Sequence, residues 1–483
     1  MTEKRETRPP IVVVLGHVDH GKTTLLDRIR RTNIASREAG GITQSIGAWR
    51  AKTSGGGTIT FIDTPGHEVF KAMRLRGARI ADVAILVVSA DDGVMPQTRE
   101  SLQYLREANT PFLVAITKVD LVTARPEVVE NQLAQEGILL ESRGGDIVGV
   151  EVSSVTGKGV EELLEMVLLL AEMVEISADP AAPLEAVVVE TSLDRRRGPV
   201  VLAVVKNGTL EVGQEVGTSG PKCRIRGLFD ENQRPVRVAL PGTPVEILGF
   251  STLPEVGSTL RVGEVMEVST LGQREVVGVY KVRPLAFHKA GEFSILIKAD
   301  TAGSLEAVGA QMGAQITVVY KGVGDISESD VMIARATNSP IVGFNVRFPK
   351  EVEKTVSEEG VRVYIYKIIY ELLQDVEKWR KEKELAQKEK ILGRAEIIAE
   401  FPHGKAKIAG CRLLEGKMAR KDRLRLVRSD ELLGSIRAVS LKKQRNEVDS
   451  IQTGEEFGLF FEPQLDFKVG DVVESYLPPK EVV

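Results

Sequence analysis

Apolar runs at 11–15, 59–62, 83–88 and 112–116 are nearly uninterrupted, the pattern of strands buried on both faces of a parallel sheet. Amphipathic stretches at 23–31, 68–79 and 98–107 separate them, so residues 9–177 read as a doubly wound α/β domain. The segment 177–183, with two prolines and three alanines, reads as a linker. From 184 to about 275 the pattern shifts to short β-rich runs punctuated by Gly and Pro, which predicts a small β-barrel. Strand and helix patterns alternate again over 276–366, a second and compact α/β unit. Residues 367–390 contain no Gly or Pro and are rich in Glu, Lys, Leu and Gln. They predict a connecting helix of roughly 35 Å at 1.5 Å per residue. Its second half has too few apolar positions for a packed helix and reads as a solvated spacer. Residues 391–483 return to β-like runs and predict a second barrel, and residues 1–8 are expected to be a disordered tail.

Composition narrows the class. The chain has 483 residues, of which 42% are apolar and 27% charged, ordinary for a multidomain globular protein. Its formal net charge of −4 excludes a uniformly basic nucleic-acid coat, while leaving room for a local basic patch. Two cysteines, Cys223 and Cys411, lie far apart and in no metal-ligand spacing, which favours a reducing compartment over a disulfide framework. No apolar run reaches the length of about 18 residues that a membrane helix needs, and the first ten residues resemble neither a secretory signal nor a transit peptide. A cytoplasmic protein without a membrane anchor is expected.

The first apolar strand feeds directly into Gly16-His17-Val18-Asp19-His20-Gly21-Lys22-Thr23, a G-x4-G-K-[ST] phosphate loop between strand and helix. In such a loop the backbone N–H groups of Asp19, His20, Gly21, Lys22, Thr23 and Thr24 face phosphate oxygens at the start of a helix. Lys22 would reach the β- and γ-phosphates, and the Thr23 hydroxyl would ligate Mg²⁺. A glycine-rich turn that merely happens to contain Lys-Thr is the bland reading, and the strand–helix context argues against it. The next strand ends in Asp63-Thr64-Pro65-Gly66-His67. Asp63 would hold the magnesium shell, Gly66 N–H would meet the γ-phosphate, and His67 would lie near an attacking water. A third element, Thr117-Lys118-Val119-Asp120, follows another strand. The Asp120 carboxylate can accept from N1–H and the 2-amino group of guanine, a pattern adenine does not offer. Ser153, Ser154 and Val155 would close the base pocket. Three of the five histidines fall in these loops; for His17 and His20, loop packing is at least as good a reading as chemistry.

With these motifs in view, the chain resembles the translational GTPases, and among them the bacterial translation initiation factor 2 family. The likeness rests on the phosphate loop, on Asp63–His67, and on Gly40-Gly41-Ile42-Thr43-Gln44-Ser45-Ile46-Gly47-Ala48, which is similar to the family's first switch. It continues through Arg197-Gly198-Pro199-Val200, Lys206–Leu210, Ile297–Asp300, Glu328–Val331, Gly343–Arg347 and Ile408–Cys411, nearly the whole chain in the family's order. The fold class this implies is multidomain α/β and β: a P-loop GTPase domain, a β-barrel, a compact α/β/α domain, a long linker helix and a C-terminal β-barrel. The resemblance further implies GTP/GDP and Mg²⁺ as ligands and Thr43 as a metal ligand in the GTP state. It implies Val18 and Ile42 as an apolar gate beside His67, and ribosome-stimulated hydrolysis with Lys22 and His67 in the catalytic centre. The implied partners are both ribosomal subunits, formyl-methionyl initiator tRNA and other initiation factors, acting on a monomer. The C-terminal barrel would hold the tRNA, with Lys442, Lys443, Arg445, Glu456, Phe457 and Gly458 at the site.

Charge is compatible with that placement: residues 391–445 carry 14 Lys/Arg against 6 Asp/Glu, and residues 446–483 carry 2 against 9. A solvated barrel face explains the same charges about equally well. The chain departs from the family at Thr117, where Asn is usual, and at Ser153-Ser154-Val155, where Ser-Ala-Lys is usual. It departs again at Phe457, which replaces a cysteine, and where the family commonly carries a long N-terminal extension the given sequence has about eight residues, either a naturally short form or a shortened one. Three other readings compete. An elongation factor for a specialised tRNA would not need the spacer helix and terminal barrel. A scaffold with a dead site conflicts with Lys22, Thr23, Thr43, Asp63 and His67, and a metabolic ATPase conflicts with Asp120.

Overall fold

A computed structural model describes residues 5–32, 43–218, 222–263, 293–313, 316–387, 390–403, 406–429, 431–444 and 446–477. The chain divides into two compact units, Met1–Gln374 and Asp375–Val483. Among the described residues no helix is long and apolar enough to cross a membrane.

The first unit begins with strand β1 (Glu6–Thr7) and then β2 (Ile11–Gly16), helix α1 (Lys22–Arg30), β3 (Gly47–Lys52) and β4 (Thr58–Asp63). A short 3₁₀ turn, Glu68–Phe70, leads into α2 (Lys71–Ile80), followed by β5 (Val83–Ser89), α3 (Pro96–Ala108) and β6 (Phe112–Thr117). Helix α4 (Pro126–Gln135), β7 (Gly149–Glu151), α5 (Val160–Met173) and β8 (Ser177–Ala178) complete this part. The sheet order is β3-β4-β2-β5-β6-β7, parallel apart from the edge pair β3–β4. Ile11 to Leu15 and Val83 to Val88 are completely buried, as central strands covered by helices on both faces must be. Burial of each such side chain contributes roughly 1.5–3 kcal/mol. Local signals set the helix ends: Pro96 opens α3, and Asn109 closes it in the left-handed region at φ 51°.

Two expectations need correction. Residues 5–8 are not a disordered tail: Glu6 and Thr7 pair antiparallel with Ala178 and Ser177, and the Arg8 guanidinium makes a two-pronged contact with Asp82 at 2.6 and 2.9 Å. The supposed linker is held as well. Its first residues form β8, Asp179 N–H donates to Asn207 Oδ1 at 2.9 Å, and the Thr209 hydroxyl donates to Pro180 O at 2.6 Å.

The barrel that follows is built on the hairpin Glu185–Asp194 and Gly198–Asn207, turned by Asp194, whose carboxylate accepts from Arg196 N–H and Arg197 N–H, each at 2.8 Å. One kinked stretch of chain serves both sides of its sheet, which ends at Lys222–Arg224 on one side and at Pro235–Val236 on the other. Lys222–Arg224 pairs on one side and Gly227–Phe229 on the other, while Ile225 N–H bonds Gln214 O and Arg226 N–H bonds Leu248 O. The next layer is a four-stranded parallel sheet in the order Ile316–Val323, Phe293–Ala299, Ile341–Phe344, Val363–Tyr366. Helices Ala302–Ala310, Glu328–Ala336 and Lys350–Glu359 connect its strands. Residues 264–292, which fall across the expected boundary near 275, lie outside the described residues. Helix Ile369–Gln387 contains the division between the two units.

In the second unit, strands Lys390–His403, Val472–Leu477, Arg423–Arg428, Glu431–Lys443, Glu456–Glu462 and Ala406–Ala419 pair in that order. The last pairs back to the first, closing a six-stranded ring around a core that includes Cys411, Phe457, Phe461 and Phe467, while the short strand Ser450–Gln452 pairs onto the end of Ala406–Ala419.

Inside the first unit, three layers meet at Glu190. Its Oε1 accepts from Thr191 N–H at 2.8 Å and from Gly303 N–H at 3.1 Å, at the start of helix Ala302–Ala310, while Arg76 of α2 pairs with Glu306 of that helix at 2.6 Å. Glu190 is 5% exposed, and burial pushes its carboxyl up to about 7 despite these donors. The folded chain therefore retains a proton that the unfolded chain, at 4.5, has released, so this group costs stability increasingly as pH rises from about 4.5 to about 7. Glu190→Gln keeps an acceptor oxygen and cannot ionise. Its stability relative to the parent should rise by on the order of 3 kcal/mol between pH 4.5 and 8. Urea unfolding midpoints at the two pH values check this, and a pH-independent difference would refute the burial of a protonated carboxyl.

Candidate nucleotide and nucleic-acid sites

The phosphate loop and the loops of Asp63–His67, Thr117–Asp120 and Ser153–Val155 emerge at the carboxyl ends of β2, β4, β6 and β7, where a doubly wound sheet places ligands. Gly16 leaves β2 at φ 149°, and a Cβ there would sit 2.3 Å from Val87 O of β5, so only glycine lets the loop depart that close to its neighbour. Asp19 and Gly21 adopt φ 61° and 81° and turn the chain into α1, whose N-cap Gly21 makes no side-chain capping bond. The first N–H groups of α1 therefore remain for a ligand. Lys22 folds back under the loop, 7% exposed, donating to Gly16 O at 2.9 Å and to His17 O. Burial lowers its ammonium to about 7; Asp63 opposes the shift and Arg74 adds to it. A cation held on main-chain carbonyls in a dry site is one that incoming anionic oxygens can take over.

Thr23 Oγ1 and Thr43 Oγ1 lie 2.7 Å apart. Adjacent ligands of an octahedral cation with bonds of about 2.1 Å stand about 3.0 Å apart, so the two hydroxyls lie close to the spacing that one magnesium ion takes. Gly66 closes the site from β4: a Cβ on it would fall 2.4 Å from Lys22 Nζ. Val18 N–H donates to Gln97 Oε1 at 2.9 Å beside this loop. Thr24 is exposed on α1. Ile42, the other half of the expected gate, lies outside the described residues.

His67 is 7% exposed and caps the 3₁₀ turn Glu68–Phe70. Burial lowers its pKa, and the nearby Lys22 charge lowers it further. The residue that fixes this loop is one the motifs did not include. Arg74 of α2 is completely buried; its NH1 donates to Gly66 O at 2.9 Å, to Pro65 O at 3.4 Å and to His67 O, and its NH2 to Glu100 Oε2 at 2.7 Å. Burial alone would raise the Glu100 carboxyl, but the Tyr104 hydroxyl and Arg74 outweigh it and hold it below the usual range. An arginine on the buried stripe of an amphipathic helix, between Met73 and Gly77, was the available signal. His20 is fully buried, accepts from Ser89 N–H at 3.3 Å and is lowered by burial to about 4. It packs edge-on to His17 at 5.0 Å, so its ring braces the loop.

At the far end, Thr117 Oγ1 donates to His20 O at 2.7 Å, tying the base loop to the phosphate loop. Lys118 adopts φ 60° and pairs with Asp92 at 3.2 Å, leaving Asp120 exposed at the mouth. Ser153 is buried: its N–H donates to Lys158 O at 3.0 Å and its Oγ accepts from Thr156 N–H at 3.1 Å, while Ser154 is half-buried and Val155 is 74% exposed. The loop is thus braced by the backbone and hydroxyl of Ser153 and presents an apolar side chain.

In the second unit, Lys442 pairs in register with Gly458, Lys443 Nζ meets Glu455 at 2.5 Å and Glu456 meets Arg412 at 2.6 Å. Phe457 corrects the expectation of a contact residue. Strand alternation turns it inward, 4% exposed, opposite Cys411 in the barrel core, so its side chain is not offered at the surface that Glu456 presents. Arg445 lies outside the described residues.

Comparison with known proteins gives concordant matches. Family models described as Elongation factor Tu GTP binding domain, Elongation factor G domain 2 and Translation-initiation factor 2 match residues 7–173, 183–263 and 283–377. The chain is similar to Translation initiation factor IF-2 of Aquifex aeolicus, 41% identical over 98% of this chain and 61% of that protein. It is 42% identical to the factors of Carboxydothermus hydrogenoformans and Halothermothrix orenii, again over 98% of this chain, covering 60% and 72% of theirs. It thus spans about three fifths of the first two relatives. Among solved structures, GDP-bound aIF5B from Aeropyrum pernix is 29% identical, with 98% of this chain and 92% of that one covered and a TM-score of 0.46.

Proposed function

This chain belongs to the translation initiation factor IF-2 family, and we propose that it is a GTP-hydrolysing switch of translation initiation in the cytoplasm. On this reading it delivers formyl-methionyl initiator tRNA to the small ribosomal subunit, acts beside other initiation factors as a monomer, and promotes joining of the large subunit. The observation that carries the nucleotide part is the 2.7 Å pairing of the Thr23 and Thr43 hydroxyls beside buried Lys22 and Gly66. Lys22 would leave its loop carbonyls for the β- and γ-phosphates, and Thr23 and Thr43 would hold Mg²⁺, with Asp63 in its outer shell. Gly66 N–H would meet the γ-phosphate, while Val18 and Ile42 would flank His67. Asp120 would read guanine between Thr117–Lys118 and the loop of Ser153, Ser154 and Val155. Hydrolysis on this plan is a matter of positioning water and stabilising charge. The proposed domains are 9–177 for nucleotide, 184–275 and 276–366 as connecting barrel and α/β domain, 367–390 as connecting helix, and 391–483 for tRNA.

Asp120→Asn should shift preference from GTP towards xanthosine triphosphate, because the amide complements a 2-keto group. Competition binding reads this directly, and an unchanged GTP preference refutes the base pocket. His67→Ala should bind GTP like the parent but lose ribosome-stimulated hydrolysis by about 10²-fold or more; wild-type turnover would remove His67 from the mechanism. For the partner, the full chain should prefer formylated initiator tRNA over its unformylated form and over an elongator aminoacyl-tRNA. Measured at two salt concentrations, equal and steeply salt-dependent binding of all three would reduce the contact to phosphate and withdraw the tRNA assignment.

A further inference from the structure

Two loops of the nucleotide site are fastened to one turn of a distant segment. The Gln44 side chain donates to Lys367 O at 2.8 Å and accepts from Ile369 N–H at 3.2 Å, a two-pronged grip on the backbone where helix Ile369–Gln387 begins. One residue further, the Tyr370 hydroxyl hydrogen-bonds His67 Nδ1, and the two rings meet edge to face with centroids 4.7 Å apart at 81°. The other imidazole nitrogen, Nε2, is buried and has no hydrogen-bond partner among the described residues. An imidazole orients a water only through a nitrogen that the water can reach. Here one nitrogen is engaged and the other enclosed.

We infer that Tyr370 is a positioning residue for His67, whose hydroxyl holds the imidazole in a withdrawn pose that must be released before water can be oriented for hydrolysis. The inference rests on the proposed role of His67. Gln44 follows Thr43 directly, so the same turn restrains the segment carrying a metal-ligating hydroxyl and the loop carrying the imidazole. Displacement of that turn frees both together. Tyr370 is itself 38% exposed, so the hydroxyl can be removed without opening a core cavity.

Tyr370→Phe keeps the ring contact and deletes the bond. Single-turnover GTP hydrolysis by the full chain without ribosomes should accelerate by about 2- to 10-fold, the range that a single neutral hydrogen bond supports. Affinity for a fluorescent GTP analogue and the ribosome-stimulated rate should stay within about twofold, because the stimulated state has already broken the bond. The gain should vanish in the double variant Tyr370→Phe/His67→Ala, since it travels through the imidazole; a general loosening would survive there. An unchanged or slower ribosome-free rate in Tyr370→Phe, or a gain that persists without His67, overturns the inference. If the parent hydrolyses GTP and loses stimulation in His67→Ala while Tyr370→Phe is indistinguishable from it, only this inference falls. A parent that fails to bind GTP brings down the functional reading and the inference with it.

Discussion

Two buried cations held on main-chain carbonyls organise the nucleotide site. Lys22 sits beneath the phosphate loop on Gly16 O and His17 O, and Arg74 sits beneath the neighbouring loop on the carbonyls of Pro65, Gly66 and His67. Carbonyls turned inward to a cation leave the N–H edge of the same peptides facing outward, so each loop is biased to present donors to an anion. The two cations are not equivalent. Arg74 has Glu100 as a fixed counter-charge at 2.7 Å, whereas Lys22 is strongly desolvated and has its acidity raised by that burial. A guanidinium remains charged and stays where its fork fits, while an ammonium responds to its surroundings. Arg74 is therefore suited to be the scaffold and Lys22 the group that moves when phosphate arrives.

The parts legible in the sequence were those that local pattern encodes. The uninterrupted apolar runs at 11–15 and 83–88 gave central strands because burial on both faces leaves no polar face to alternate. Loop motifs were legible because phosphate chemistry demands glycine and Lys-Thr at fixed spacing. What escaped were contacts between residues far apart in sequence: Tyr370 on His67, Glu190 on Gly303, Arg8 on Asp82. None leaves a periodic trace, because each depends on how whole layers stack. The short pairing of Glu6–Thr7 with Ser177–Ala178 escaped for a second reason: two-residue strands carry no periodicity. Phe457, by contrast, was within reach of pattern reading, since Phe457, Leu459 and Phe461 alternate along one strand and all three turn into the core.

The departures from the family acquire physical meaning once placed. Thr117 spends its hydroxyl on His20 O, so the base loop remains anchored to the phosphate loop with a shorter side chain than Asn. In the loop around Ser153, its N–H bond to Lys158 O and the Thr156 N–H bond to its hydroxyl supply the rigidity, and exposed Val155 offers an apolar surface but no charge. On the proposed reading, a base meeting that loop would gain contact area and little electrostatic attraction, and discrimination would fall to Asp120.

Phe457 stands opposite Cys411 inside the closed ring, where the thiol is a small neighbour for the aromatic side chain. The next rung, Gly410 with Gly458, faces the other way by strand alternation; there a Cβ on Gly410 would come within 2.8 Å of Phe401, which is 52% exposed. Phe457 is thus part of the core packing beneath the Glu456–Gly458 segment, and a smaller residue in its place would leave a cavity there. Any ligand selectivity of this face is then a property of where Glu456 and Gly458 are held, with Phe457 acting from beneath.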